Sequence, residues 1–168
     1  MPARSDLPRP GIPYEPQHLE YLTVREATDA VVADIRAHQP LPLNEHGHFT
    51  ATRHVSLLTS LLNQVANDSH YNRFEWPTPR GQRNSAQLAE AAVPIAQALT
   101  HYVQALEPMA RLALSIRPED SAADRAEIHR HVLPLDTLLD HAQAAVRRRP
   151  PTPVPVPASP EAGTARQR

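Results

Sequence analysis

The sequence predicts an all-α fold, built as a bundle of four main helices. Apolar residues recur at alternating steps of three and four in several long segments, which is the spacing of one helix face. Alanine and leucine supply most of the apolar residues, and both are strong helix formers. Only four of the 168 residues are glycine, which leaves few tight turns for a β-protein. We expect helices at about 16–38, 50–66, 84–117 and 119–148.

Proline-rich segments flank this helical region. Residues 1–15 and 149–168 together hold more than half of the 19 prolines. Because proline fixes φ and removes a hydrogen-bond donor, we expect an extended arm at 1–15 and a disordered tail at 149–168. The helical domain is therefore predicted to span 16–148, which is long enough for one hydrophobic core.

The first helix has two candidate starts. Pro16 suits a first helical position. Thr23 and Glu26 instead form a capping box, in which each side chain bonds the backbone N–H of the other residue. The apolar stripe that follows consists of Val24, Ala27, Val31 and Ile35.

The second helix, at about 50–66, carries the most apolar face of the chain, as expected at the centre of a bundle. Proline and glycine predict a loop before it at 40–49 and a connection after it at 67–83, with a continuation of the second helix as far as Phe74 left open. Its stripe consists of Val55, Leu58, Leu62 and Val65, widened by Leu57 and Leu61.

The third helix, at about 84–117, is the longest, and the other helices are expected to cover it. We expect Asn84 to be its N-cap residue, with the Gln87 side chain forming the reciprocal hydrogen bond of a capping box to Asn84. Its stripe keeps phase through Pro94 and Pro108, so we expect one kinked or curved helix. Either the shorter helices stack along it or an uncovered part forms a homodimer. The stripe consists of Leu88, Ala92, Ile95, Leu99, Tyr102, Leu106, Met109, Ala113 and Ile116.

The last helix, at about 119–148, begins with acidic residues and ends with Arg147, Arg148 and Arg149, which suits the helix macrodipole. Ser121 and Asp124 form its predicted capping box. Its stripe keeps phase through a proline and consists of Ile128, Val132, Leu135, Leu139, Ala142 and Val146.

Composition narrows the function classes. The formal charge is −1, so no global field favours nucleic acid or an acidic membrane. All 17 basic residues are arginine, a bias typical of a high-GC bacterium. Cysteine is absent, which excludes disulfides and thiolate sites. No apolar run is long enough to span a membrane, and no signal-peptide pattern occurs at the N-terminus, so we expect a cytoplasmic protein.

Ten histidines raise the alternative hypothesis of a ligand- or metal-binding helical bundle, which includes the case of a DinB-like enzyme. The Glu-x-x-His pair typical of such bundles does not occur within any of the four predicted helices, since Glu15–His18 begins in the N-terminal arm and Glu45–His48 lies in the predicted loop. His129 and His131 project from opposite sides of a helix. DinB-like bundles bind metals and have a similar length, but the resemblance concerns the fold alone, because their pattern of metal ligands is not found in this sequence. We assign no metal, cofactor or catalytic residue. Carboxylates off the apolar stripes are expected on solvated faces; these are Asp29, Asp34, Asp136 and Asp140.

The segment Leu22-Thr23-Val24-Arg25-Glu26-Ala27 resembles the first residues of excisionase-type helix-turn-helix domains. That resemblance implies DNA binding, and it keeps a DNA-binding regulator open as an alternative function. It covers six residues, because the chain continues as helix through 31–34, where those domains turn.

The connection 67–83 is the segment most typical of a binding surface, because three of the seven aromatic residues fall within six positions there, beside arginines. The competing interpretation is that Phe74 and Trp76 close the end of the bundle. The residues expected to contact an unidentified protein partner are Tyr71, Arg73, Phe74, Trp76, Arg80 and Arg83. We therefore expect a non-enzymatic interaction protein, such as an adaptor, accessory or small regulatory subunit.

Overall fold

The fold is all-α, as predicted. The computed structural model describes residues 16–39, 45–72, 74, 77–114 and 121–148. These residues form a short 3-10 helix at Pro16–Tyr21 and contain no strand. The α-helices are α1 (Val24–Ala37), α2 (Glu45–Asn72), α3 (Pro79–Leu114), α4 (Ala122–Val132) and α5 (Leu135–Arg147). The predicted arm at 1–15, the tail at 149–168 and the end of the third helix after 114 lie outside the described residues.

The start of α1 is set by the predicted capping box. The Thr23 backbone N–H donates to Glu26 Oε2 at 2.9 Å, and the Glu26 backbone N–H donates to Thr23 Oγ1 at 3.3 Å. Of the two candidate starts, Thr23 therefore begins the α-helix, and Pro16 begins the separate 3-10 helix. All four residues of the predicted α1 stripe are buried.

The connection between α2 and α3 is shorter than predicted, because both helices extend into it. α2 runs from Glu45 to Asn72, beyond the expected 50–66 at both ends. α3 begins at Pro79 and not at Asn84. Thr78 is its cap, since the Gly81 N–H donates to Thr78 Oγ1 at 3.0 Å. Proline directly after a threonine cap is a common helix start, because the first N–H needs no partner.

The buried stripe of α3 is rotated relative to the predicted one. Ile95, Tyr102 and Met109 are buried as expected, but Ala113 is exposed. The remaining buried positions are filled mainly by small residues, and they are Gly81, Ala91, Pro94, Ala98, Ala105, Pro108 and Leu112. Small side chains let neighbouring helices approach closely, so the alanines occupy the contact line and the predicted leucines lie half-buried beside it.

The predicted last helix occurs as two consecutive segments, α4 and α5, separated by Leu133 and Pro134. Proline has no N–H to donate to the carbonyl four residues earlier, which interrupts the helix here. Both linking residues keep near-helical backbone angles, so the stripe stays in phase. Ser121 precedes α4 without a side-chain cap hydrogen bond, which corrects the predicted capping box.

α3 is the central element of the bundle, because α2, α4 and α5 all pack against it, while α1 packs on α2 and α5. Continuous helix runs through Pro94 and Pro108, as the phase of the pattern predicted. None of the helices in the described ranges combines the length and apolar character that crossing a bilayer requires.

Candidate functional site

Tyr71 and Phe74, two of the six predicted contact residues, are exposed where α2 ends. The Tyr71 side chain is 69% exposed and Phe74 is 70% exposed. The Tyr71 ring meets the ring of His70 edge to face, with 5.9 Å between centroids. Phe74 therefore does not close the end of the bundle, and that interpretation is wrong for this residue.

The predicted arginines differ from one another in their exposure to solvent. Arg80 lies in the first turn of α3 and is exposed. Arg83 is half-buried, and its Nε atom is buried without a hydrogen-bond partner in the described part of the chain. Arg73 and Trp76 lie outside the described residues. The structure thus leaves Tyr71, Phe74 and Arg80 open to solvent at one end of the bundle.

A polar stripe on α2 leads to Tyr71 and was missed in the sequence. These residues line a hollow of about 370 Å³ between α2 and the 3-10 helix, which we call the α2 hollow. The stripe has the same period as an apolar stripe, and this regular spacing of polar residues is the signal in the sequence that indicates it. Its members are Ser60, Asn63, Gln64, Asn67, Asp68 and Tyr71.

The opposite wall of the α2 hollow comes from Leu19, Glu20 and Leu22. Its charged lining residues, Glu20 and Asp68, are both acidic, and partial burial raises the pKa of Asp68. Gln64 ties the two walls together, because its Nε2 donates to the Leu22 carbonyl, while its Oε1 is buried without a partner among the described residues. The charged groups of the hollow are therefore both acidic, and its Ser, Asn and Gln side chains can donate as well as accept hydrogen bonds.

A second hollow of about 220 Å³ adjoins the first, and Asp68 lines both. It lies where the start of α1, the end of α2 and the start of α3 meet, with Thr23, Asn72 and Asn84 among its lining residues. Gln87 closes one side, because its Nε2 donates to three carbonyl oxygens at the end of α5, at 2.9 to 3.2 Å. Gln87 therefore joins α3 to α5, and the expected bond to an Asn84 cap is wrong.

A buried ion pair contradicts the expectation that Asp34 lies on a solvated face. Asp34 is only 3% exposed and accepts a 2.5 Å hydrogen bond from Arg53 Nη1 on α2. His38 Nδ1 lies 3.2 Å from the other carboxylate oxygen. Burial of a carboxylate requires such a partner. Arg53 has no acceptor for its Nε and Nη2 atoms in the described part of the chain.

Beside this pair, His54 on α2 and Tyr102 on α3 form a second buried polar contact. His54 Nδ1 lies 3.0 Å from the Tyr102 hydroxyl oxygen, and the rings meet nearly perpendicular. Burial lowers the pKa of His54 to about 4 and raises the pKa of Tyr102, so both side chains are neutral at pH 7. These buried polar contacts link α1, α2 and α3 within the core. None of the residues that form them lines the hollows described above.

Histidines at the other side of α3 form a pair and not a cluster. His101 Nδ1 lies 3.4 Å from His131 Nδ1 on α4, and both residues are half-buried. His141 is exposed and lines a third hollow, of about 430 Å³, between α3 and α5. Among the described residues, no group of three or more His, Cys, Asp or Glu side chains is placed to hold a metal ion.

Comparison of the chain with protein-family models, with curated proteins and with solved structures gives no match.

Proposed function

We propose that this protein is a non-enzymatic interaction protein, an adaptor or small regulatory subunit, that binds a peptide segment of a partner in the α2 hollow. The observation that carries the proposal is the exposure of Tyr71, which lines that hollow, followed three residues later by the exposed Phe74. Aromatic residues at the edge of a concave polar surface are characteristic of the energetic centre of protein interfaces.

The lining of the hollow suits a peptide backbone. Each Asn or Gln side chain offers both a donor and an acceptor, which matches the two polar groups of a peptide unit. Asn63 and Asn67 lie one helical turn apart on α2, so they can pair with successive groups of an extended segment. Glu20 and Asp68 favour a lysine or arginine side chain in that segment, because the hollow has no basic lining residue among those described.

The first test locates the bound partner. A photo-crosslinking residue at position 67 should capture a protein from a lysate of the source organism, and the same residue at position 49 should not. Phe49 is a suitable control because it is 64% exposed and lies about 27 Å from position 67 along the same helix. Capture at 67 should disappear in Asp68→Lys, since that change cancels the negative charge of the hollow.

The second test measures affinity with the identified partner. Tyr71→Ala and Phe74→Ala should each weaken binding about tenfold or more, the effect of losing an aromatic anchor. Phe49→Ala should bind as the wild type does, and circular dichroism should report the same helicity for all three variants. Unchanged affinity in both Tyr71→Ala and Phe74→Ala would refute the assignment of this surface. Trp76→Ala completes the series, since Trp76 is one of the predicted anchors.

A further inference from the structure

The described part of the chain ends at the edge of the second hollow. Val146, in the last turn of α5, lines that hollow. Arg148 is the last described residue, and its carbonyl oxygen accepts a hydrogen bond at 2.9 Å from Nε2 of Gln87, which lines the same hollow. The proline-rich residues 149–168, which we call the tail, are therefore joined to the bundle at the edge of the second hollow.

The tail is long enough to reach the α2 hollow through the second one, because Asp68 lines both. Ser60 and Tyr71, the first and last lining residues on α2, are about 17 Å apart along the helix. A polyproline II segment rises about 3.1 Å per residue, so about six residues span that distance. The tail has 20 residues, enough to cross the second hollow and line the α2 hollow from end to end.

The hydrogen-bonding groups of the tail match those of the two hollows. Six of the 11 residues in 150–160 are proline, which has a carbonyl acceptor and no N–H donor. Such a segment needs donors opposite it, and the side-chain amides of Asn63, Asn67 and Asn72 can supply them. Tyr71 adds an exposed ring, the kind of side chain that lines polyproline-binding grooves.

Charge favours the same pairing. The tail carries three arginines and one glutamate, a net charge of +2. The charged residues that line the α2 hollow, Glu20 and Asp68, are both acidic, and neither forms an ion pair with another described residue. Arg25 is the basic residue that lines the second hollow. The negative charge of the α2 hollow is therefore not neutralised within the described bundle, and it attracts a basic segment.

We propose that the tail binds in the α2 hollow of its own chain and competes there with the partner peptide. This inference rests on the proposed peptide-binding role of the hollow, which the tail would regulate. A short tether gives the tail an effective concentration of about 1 mM at the site. A contact with a dissociation constant of about 0.1 mM would then be about 90% occupied, and the affinity for a partner would fall about tenfold.

Photo-crosslinking in the purified full chain tests the contact. A photo-crosslinking residue at position 67, irradiated at about 1 µM protein so that contacts between chains are rare, should join a tail peptide in 149–166. Mass spectrometry after proteolysis identifies that peptide, and the mass of the crosslinked chain should remain 18.6 kDa. The same residue at position 49 is the control and should capture no tail peptide. A chain without a tail crosslink at 67 overturns the proposal.

Two other positions of the tail are distinguishable in the same experiment. Arg148 also lines the third hollow, so a crosslinking residue at Gln97, another lining residue there, tests that alternative. Tail capture at 97 and not at 67 would place the tail in the third hollow. A crosslinked species of twice the chain mass would place the tail of a second copy in the α2 hollow. Either result overturns binding of the tail to the α2 hollow of its own chain.

Charge substitutions in the tail test why it binds. Val154→Asp combined with Val156→Asp introduces two carboxylates near Glu20 and Asp68 and should lower the crosslink yield at 67 by about fivefold or more. Val154→Lys combined with Val156→Lys is the matched control and should keep the yield. Equal yields from the two double variants would overturn the charge-guided contact. Circular dichroism checks that both keep the helicity of the wild type.

The tail and the partner are tested separately, because the purified protein contains no partner. Capture of a lysate protein at 67 without a tail crosslink overturns the inference about the tail and leaves the proposed function standing. A tail crosslink without lysate capture, in the double aspartate variant as well as the wild type, supports the tail contact and refutes the proposed function. If both proposals hold, the double aspartate variant should capture more partner at 67 than the wild type does, because its hollow is vacant more often.

Discussion

The buried His54 should make the stability of the protein fall as the solution becomes acidic. In the folded state, burial lowers its pKa from the ordinary 6.5 to about 4. The charge of Asp34 opposes this lowering, whereas the charges of Arg53 and His38 reinforce it. The unfolded chain therefore binds a proton below about pH 6.5 that the folded chain does not bind until about pH 4. Stability is thus complete above pH 6.5 and decreases between pH 6.5 and pH 4.

The size of this effect follows from the two pKa values. Their difference corresponds to about 3 kcal/mol once the window has been crossed, and about 2 kcal/mol is already lost at pH 5. His54→Gln keeps a polar partner for the Tyr102 hydroxyl and cannot titrate. We therefore expect the free energy of unfolding of this variant to change by about 2 kcal/mol less between pH 7.5 and pH 5 than that of the wild type.

Urea unfolding followed by circular dichroism at the two pH values measures the difference. Carboxylates contribute to both proteins alike, so their contribution cancels in the comparison. His48 on α2 is half-buried and supplies a control, because His48→Gln should retain the wild-type pH dependence if the effect belongs to the buried site. An equal pH dependence in wild type and His54→Gln would refute the reasoning.

Three further substitutions test the contacts that hold the helices. Thr23→Ala removes the capping box of α1 and should cost about 1 kcal/mol in urea unfolding. Asp34→Asn leaves the buried Arg53 without a counter-ion and should cost about 3 kcal/mol, whereas Asp140→Asn at an exposed pair should cost less than about 1 kcal/mol. Gln87→Ala removes three hydrogen bonds to the end of α5; it should cost about 1–2 kcal/mol and increase amide exchange in the last turn.

The sequence predicted the helices well where large apolar residues make the contacts. The stripe of α1 is buried as predicted, and so is most of the stripe on α4 and α5. On α3 the periodicity was right, and Ile95, Tyr102 and Met109 are buried as predicted, but the buried face is rotated toward small residues such as Ala98 and Ala105. A pattern of large residues misplaces the centre of the buried face when small residues let the helices approach closely. Helix ends were also missed where a Thr-Pro cap replaced the expected Asn84 cap.

The site was only partly predictable, for a different reason. The aromatic cluster at 67–83 is a local feature, so the sequence could indicate it. Asp34 is buried only because Arg53, 19 residues away, reaches it from α2, and no local pattern predicts such a pair. The polar stripe on α2 was visible as spacing, but a polar helix face is normally solvated. The stripe becomes one wall of a hollow only because the 3-10 helix packs opposite it, and this packing was not visible in the local sequence.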